Sequence, residues 1–88
     1  MNIIFDTGKD EANQAKHHCS LALAEMFDWD TASIAADDRR NYGEARFYAI
    51  GYIGQRLFVV IFTDRGEDRR IISLRKANKR EVLKYASA

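Results

Sequence analysis

The C-terminal quarter of the sequence concentrates side chains that could bind phosphate. Between Thr63 and Lys84 eight cations stand against four acids, a net charge of +4, although the whole chain carries only +1. The planar guanidinium group of arginine donates two parallel hydrogen bonds to phosphate oxygens, and a rigid strand holds it in place. This local field predicts a phosphodiester backbone, of RNA or DNA, as the first candidate partner.

A strand predicted over Arg69–Arg75 carries arginines on both faces. An unpaired buried charge is costly, so these arginines either reach solvent at the strand ends or line a cleft that receives an anion. Ser73 and Arg75, beside Arg65 on the preceding hairpin, are the strongest candidates for such a cleft. Strict alternation places the side chains on two faces: Arg69, Ile71, Ser73 and Arg75 on one, and Arg70, Ile72 and Leu74 on the other.

The first predicted helix offers a second polar surface. Lys9, Asn13, Lys16 and His17 follow one another at steps of three and four residues, which places them on one side. This surface suits an anion, and it equally suits an ordinary solvated helix face. His17 and its neighbour His18 are the natural proton-transfer candidates, because the unperturbed pKa of imidazole lies near neutrality.

Several other reaction classes lack their sequence signatures. There is no C-x-x-C or H-E-x-x-H, and adjacent histidines diverge by about 100° on a helix, so we expect no metal site. There is no P-loop, no G-x-G-x-x-G and no nucleophile elbow, so we expect no cofactor. The single cysteine, Cys19, forms no internal disulfide, which fits a reducing cytosol, and it is predicted to be a small packing residue.

The length of 88 residues predicts one domain, residues 1–88, with no room for a second core. With 47% hydrophobic and 31% charged residues, the composition is that of a globular protein. No apolar run approaches the roughly 20 residues that span a bilayer, and the N-terminus lacks the features of a signal peptide. We therefore expect a small soluble protein of the cytoplasm, with no membrane partner.

The predicted fold is α+β, with two N-terminal helices, an antiparallel β-meander and a short C-terminal helix. Thr7 and Asp10 resemble a capping box that opens a helix through about His18, after a short edge strand or lead-in at residues 3–5. Ser20 is predicted to cap the second helix. Its inward side chains, by helical spacing, are Leu23, Ala24, Met26 and Phe27.

The strands are predicted from apolar alternation and turn residues. Gly54 and Gln55 suit a tight turn between the two strands that precede Arg69–Arg75, whereas residues 64–68 suggest a longer hairpin loop. Asn78 followed by Glu81 is predicted to cap the last helix, through about Ala86. The earlier segments are assigned as a strand at 31–36, a loop at 37–44, and strands at 46–53 and 57–62.

Three ordered blocks of the sequence resemble the BrnT family of bacterial ribonuclease toxins. The first, F-D-x-x-K-x-x-x-N-x-x-K-H, runs from Phe5 to His17. The third, V-V-x-x-T-x-R-x-x-x-x-R-I-I-S-x-R-x-A-x-x-x-E-x-x-x-Y, runs from Val59 to Tyr85. The second, D-x-R-x-x-x-G-E-x-R, is assigned to Asp38, Arg40 or its neighbour Arg39, Gly43, Glu44 and Arg46, with Ile50-Gly51 after it.

The resemblance implies the toxin of a type II toxin–antitoxin pair, with a RelE-like fold, that cleaves RNA and so inhibits translation. The implied partner is an antitoxin, a small DNA-binding protein usually of the ribbon-helix-helix type. The two proteins together would bind their operator DNA, with the antitoxin making the DNA contact.

On this basis we expect a metal-independent endoribonuclease in which the 2′-OH attacks the adjacent phosphorus. His17 or Glu44 transfers the proton, and Arg65 and Arg75 stabilise the phosphate charge. Tyr85 positions a base or acts as an acid, or else it only packs the last helix. The expected RNA-binding residues are Lys16, Arg46, Arg70, Ser73, Lys79 and Arg80.

Two other functions fit the same basic region. A non-catalytic nucleic-acid-binding module would need the arginines but neither Ser73 nor His17, and its binding would depend steeply on salt. A pure interaction protein would use the basic end to dock an acidic partner, and it would neither cleave nor retain RNA.

Overall fold

A computed structural model describes residues 1–87 of the protein and shows eight secondary-structure elements in them. They are β1 (Asn2–Ile4), α1 (Thr7–His17), a 3-10 helix (Leu21–Met26), β2 (Ser33–Ala36), β3 (Phe47–Ile53), β4 (Arg56–Arg65), β5 (Asp68–Lys76) and α2 (Lys79–Ser87). The five strands form one sheet in the order β1-β5-β4-β3-β2. The α+β fold is therefore confirmed. The sheet is mixed, because β1 pairs with β5 in parallel while β2 to β5 form the predicted antiparallel meander.

Helix α1 begins one residue earlier than the sequence suggested. Its N-cap is Asp6, whose carboxylate accepts a hydrogen bond of 2.9 Å from the backbone N–H of Lys9. The predicted capping box of Thr7 and Asp10 is wrong, because the carboxylate of Asp10 instead accepts the backbone N–H of Leu21 at 2.7 Å. Asp10 therefore ties the two N-terminal helices together.

The second helix is a 3-10 helix capped by Ser20, as predicted, and its period differs from that of an α-helix. The change of period alters which side chains face inward. Leu21 and Ala24 are buried, whereas Met26, predicted to pack inward, is 68% exposed.

The two faces of the sheet have different coverings. The core face packs against α1 and the 3-10 helix, and its side chains from β4 and β5 are Phe58, Val60, Phe62, Ile71 and Leu74. The open face packs against α2, and its apolar side chains are Ile50, Leu57, Val59 and Ile61. Residues that alternate along β3 and β4 therefore reach two separate apolar clusters.

A β-bulge in β5 breaks the alternation that the sequence predicted. Ile61 pairs with Ser73 and Phe62 with Ile71, so Ile72 is the extra residue. Ile71 and Leu74 can then both be buried on the core face. The prediction that Arg69 and Ile71 share a face with Ser73 and Arg75 is wrong, because the bulge separates the two pairs.

Two-residue turns close both hairpins. Gly54, at a φ of 62°, begins the predicted turn between β3 and β4. Gly66 and Glu67 connect β4 and β5 directly, since Arg65 pairs with Asp68, and the longer loop predicted at residues 64–68 is wrong. The left-handed φ of 59° at Gly66 favours glycine there.

Helix α2 lies on the open face without burying any of its side chains fully. Its capping box is confirmed, because Asn78 and Glu81 exchange two hydrogen bonds of 2.9 Å. The hydroxyl of Tyr85 donates to the backbone carbonyl of Thr31 at 3.1 Å, and the ring of Tyr85 meets the edge of Tyr52. Polar contacts and the packing of Tyr85 against the apolar cluster of the open face together hold this helix.

Within residues 1–87, no helix has the length and apolar content that crossing a lipid bilayer requires. In the same residues, no three His, Cys, Asp or Glu side chains form a group suited to a metal ion.

Candidate nucleic-acid interface

A pocket of about 220 Å³ lies between α2 and the open face. Its floor is apolar and is formed by Ile50, Val59 and Ile61, with Tyr48 beside them. Four cationic side chains and two acidic ones complete the lining, so its net charge is +2: Arg39, Arg75, Arg80, Lys84, Asp37 and Glu81. An apolar floor with a cationic border suits a nucleotide, which has a flat base and a charged phosphate.

Arg75 links β5 to α2. Its two terminal nitrogens each donate a hydrogen bond of 2.7 Å to one oxygen of Glu81. This fork lowers the pKa of Glu81 and raises that of Arg75, so both groups keep their charges at neutral pH. Glu81 also accepts the backbone N–H of Asn78. The helix cap thus holds the carboxylate that orients Arg75.

Arg39 lies on the loop after β2 and reaches the same pocket from the β2 edge of the sheet. Its Nε and Nη2 donate hydrogen bonds of 2.7 and 2.8 Å to the two oxygens of Asp37. The side chain of Asp37 is 1% exposed and that of Arg39 is 72% exposed. The hydrogen bonds from Arg39 are the main reason why the pKa of Asp37 lies below its usual value.

Sequence reasoning missed this pair as part of the site. The spacing D-x-R-x-x-x-G-E-x-R, counted back from Gly43, is met by Asp37 and Arg39. The assignment to Asp38 was wrong by one residue, and of the two arginines offered, Arg39 fits the spacing and Arg40 does not. Correct counting would have found the pair.

A second cluster occupies the end of the open face where β3 begins and β4 ends. Glu44 accepts hydrogen bonds of 2.8 Å from Arg65 and 3.3 Å from Arg46. The guanidinium of Arg46 also lies 4.1 Å from the ring centre of Tyr42. The hydrogen bond from Arg65 is the main cause of the lowered pKa of Glu44. This carboxylate is therefore a weak base at neutral pH.

His17 and Lys16 lie at the end of α1, beside the part of β5 that β1 does not reach. The side chain of Asn13 fixes this arrangement, because it donates to the carbonyl of Leu74 at 2.8 Å and accepts the N–H of Leu74 at 3.2 Å. Burial lowers the pKa of His17, and the charges of Lys16 and Arg75 lower it further. A neutral imidazole near Arg75 can accept a proton.

The remaining predicted site residues lie at various places on this surface. Strand pairing puts Ser73 opposite Ile61 and Arg70 opposite Thr63, both on the open face. Arg80 lines the pocket, whereas Lys79 is exposed at the start of α2 and lies outside the pocket. Tyr85 also lies outside it, with its hydroxyl bonded to the carbonyl of Thr31.

Comparison with known proteins gives a consistent result. Residues 5–81 match the family described as "Ribonuclease toxin, BrnT, of type II toxin-antitoxin system". The chain is also similar to a solved structure, the ribonuclease toxin BrnT of Brucella abortus, at 32% sequence identity and a TM-score of 0.72. That similarity covers 90% of this chain and 99% of the Brucella chain. A search of curated proteins found no match.

Proposed function

The chain belongs to the BrnT family of ribonuclease toxins of type II toxin–antitoxin systems, and from this premise we propose a metal-independent endoribonuclease whose site includes the open face of the sheet. Family membership implies an RNA substrate and an antitoxin partner. The observation that carries the proposal is the cationic pocket under α2, which Arg75 lines, and the charge of Arg75 also lowers the pKa of His17.

The proposed reaction is a transesterification within the RNA chain. The 2′-OH gives its proton to the neutral imidazole of His17 and attacks the adjacent phosphorus, the bond from phosphorus to the 5′ oxygen breaks, and that leaving oxygen takes a proton from water. The products are a 2′,3′-cyclic phosphate and a free 5′-OH. The reaction requires the 2′-OH, which restricts the substrate to RNA.

We assign charge stabilisation in the transition state to Arg75. Its guanidinium is half-buried and is held by two hydrogen bonds to Glu81, so it need not reorganise as charge develops on the phosphate. Preorganised charge of this kind commonly accelerates a reaction more than any other single effect in an active site.

His17 is the better candidate for the proton-transfer group. Its lowered pKa favours the neutral imidazole, and Arg75 acts on it electrostatically. Glu44 is engaged by two arginines and its pKa is lowered, so it is better suited to orienting Arg46 and Arg65 than to accepting a proton. We assign Tyr85 to holding α2, because its hydroxyl is occupied by the carbonyl of Thr31.

The other cations of this surface are proposed to follow the RNA backbone on both sides of the cleaved phosphate. Contacts to phosphate fix the register of a nucleic acid and carry little sequence information. Ser73 would orient a phosphate oxygen. The residues proposed to bind the backbone in this way are Lys16, Arg46, Arg65, Arg70, Lys79 and Arg80.

The antitoxin is proposed to neutralise the enzyme by covering the open face. We further propose that it is a DNA-binding protein of the ribbon-helix-helix type and that the complex reaches operator DNA through it. Support for both points comes from the resemblance described above and from the cationic character of the open face.

The proposal is tested with purified, antitoxin-free protein and a labelled RNA in EDTA, beside Arg75→Ala. We expect the wild type to yield 2′,3′-cyclic phosphate ends and the variant to be slower by about 10²–10³-fold. A parallel reaction contains translating ribosomes, with Mg²⁺ in place of EDTA because translation requires it. Intact RNA in both reactions, with a salt-sensitive gel shift, would overturn the enzymatic proposal and support the binding module.

A further inference from the structure

We propose that the pocket under α2 is a nucleotide subsite, in which Arg39 and Arg75 bind one phosphate from opposite sides and the apolar floor receives the attached base. In this subsite Asp37 is a positioning residue for Arg39. The inference rests on the proposed function, because it concerns how the same surface holds RNA.

The two arginines approach the pocket from opposite sides of its two floor strands. Arg75 belongs to β5, and Arg39 follows β2, with the floor strands β4 and β3 between them. Three strand spacings correspond to roughly 14 Å between the outer backbones. Two long side chains can reach a common anion across this width. Both cations line one small pocket, and an anion between them would relieve their mutual repulsion.

The pairing of Arg39 with Asp37 leaves suitable donors exposed. Arg39 uses Nε and Nη2 for the carboxylate, and its Nη1 has no hydrogen-bond partner within residues 1–87. Arg75 uses Nη1 and Nη2 for Glu81, and its Nη1 also donates to the carbonyl of Lys76 at 3.4 Å. Of the five N–H donors of each guanidinium, Arg39 therefore keeps three unused and Arg75 two in the part of the chain that the structure describes. Arg39 is therefore the better placed of the two to bind a phosphate oxygen directly.

Asp37 has features of a positioning residue. Its carboxylate is buried beside the sheet, while the cation that it holds is largely exposed. Its backbone N–H also donates to the carbonyl of Arg46 at 2.7 Å, so the backbone that carries the carboxylate is fixed to β3. Burying a carboxylate is costly unless it is paired. Here the pair presents a preoriented guanidinium to solvent.

The floor of the pocket suits a single base. Ile61 and Tyr48 are partly exposed and form the accessible part of the floor, over the nearly buried Ile50 and Val59. The volume of about 220 Å³ is smaller than the roughly 300–1,000 Å³ of pockets that enclose drug-sized ligands. This size favours one nucleobase over a larger group.

The first test compares Arg39→Ala with Arg40→Ala, which removes the same charge from the next residue of the same loop. The probe is a 2′-O-methyl RNA oligonucleotide, which cannot be cleaved, and its Kd is measured over a series of salt concentrations. We expect Arg39→Ala to lower the salt slope by about 0.7, the value for one phosphate contact on a single strand. Arg40→Ala should keep the wild-type slope.

Kinetics in EDTA with cleavable RNA separate positioning from charge. Arg39→Ala should lower kcat/KM by about 10²-fold. Asp37→Asn keeps the cation but loses its orientation, so kcat should fall while the salt slope stays that of the wild type. Arg39→Lys should likewise keep the slope and lose rate, because lysine lacks the planar fork. The Tm of each variant is measured beside these values.

The outcomes distinguish the inference from the proposed function. If the wild type cleaves RNA but Arg39→Ala matches Arg40→Ala in slope and rate, the inference is overturned and the function stands. A lowered Tm in Arg39→Ala with unchanged RNA binding also overturns it, since the pair would then only fasten the loop. If the wild type cleaves nothing, the function fails, and the salt slopes still decide the inference.

Competition experiments measure how much the apolar floor of the pocket contributes to nucleotide binding. Nucleoside 3′-monophosphates should displace the 2′-O-methyl probe at lower concentrations than inorganic phosphate does. Ile61→Ser should reduce this difference, because it makes the floor polar. Equal competition by phosphate and nucleotide would overturn the assignment of a base to the pocket.

Discussion

The core face and the open face of the sheet both carry apolar strand residues, but they differ in how those residues are covered. On the core face, Val60, Phe62, Ile71 and Leu74 are essentially inaccessible to solvent. On the open face, α2 buries none of its own side chains fully and leaves a pocket bordered by cations. The dense packing of one face stabilises the fold, so the other face can hold like charges close together.

Arginines on β5 show the same division. Arg69 pairs with Asp64 at 2.8 and 2.9 Å, and its guanidinium lies over the rings of Trp29 and Phe62. It therefore covers the margin of the core. Arg75, beyond the bulge, points to the pocket on the opposite face. One extra residue in the strand thus separates a structural arginine from a candidate catalytic one.

The largest expected effect comes from opening the core face. Phe62→Ala should lower the free energy of unfolding by about 3–5 kcal/mol, because it leaves a cavity under Trp29 and Phe47. Leu83→Ala, on the exposed side of α2, should change it by less than about 0.5 kcal/mol. Urea denaturation measures both. Similar values for the two variants would contradict the proposed difference between the faces.

The next prediction compares two arginines of β5, one expected to affect the rate of RNA cleavage and the other the stability of the fold. Arg75→Ala should slow RNA cleavage by about 10²–10³-fold. Arg69→Ala, which also removes a paired arginine from β5, should lower the Tm and leave kcat/KM close to wild type. Cleavage assays and thermal melts of both proteins provide the comparison. Equal losses of activity would mean that total charge, rather than the face on which it lies, determines RNA cleavage.

A third prediction concerns Asn13, which joins α1 to β5. Asn13→Ala removes hydrogen bonds to Cys19 and to both backbone groups of Leu74, and it should cost about 1–3 kcal/mol of stability. Because Asn13 also fixes the end of α1, cleavage should fall through misplacement of His17. Faster amide exchange at Leu74 would identify the cause, and unchanged exchange there would contradict it.

Local features of this fold could be predicted from the sequence. The Ser20 cap, the Asn78 and Glu81 capping box and the turn at Gly54 each depend on residues close together in the chain. Long-range features were not predictable in this way. The bond from Asn13 to Leu74 joins residues 61 positions apart, and the parallel pairing of β1 with the last strand leaves no local pattern.

The bulge at Ile72 lies between these cases. Ile71 and Leu74 are three residues apart, and both can face the core only if the strand gains one residue between them. The sequence contained this signal, but alternation was the simpler prediction. In the candidate site, the type and number of arginines indicated an anion partner. The hydrogen bonds by which Asp37 and Glu81 orient them became evident only from the structure.

The smallest expected effect is a change in the free energy of unfolding at acidic pH. The pKa of Asp37 is lower in the folded protein than its ordinary value, mainly through the hydrogen bonds from Arg39. Its carboxylate therefore stabilises the fold at every pH above the ordinary aspartate pKa of about 4, and this stabilisation is lost as the pH falls further, through the lowered value. The difference in unfolding free energy between wild type and Asp37→Asn should be constant from about pH 7 to 5 and shrink below about pH 4.

Arg39→Ala provides the matched variant for this measurement, because it removes the cation instead of the carboxylate. It should lose the same pH-dependent part of stability, and the double variant should lose no more of it than either single variant does. Independent effects of the two substitutions would show that the pair is not coupled. Asp37 would then be an ordinary buried acid of the open face, and the contrast with the Arg69–Asp64 pair of the core face would disappear.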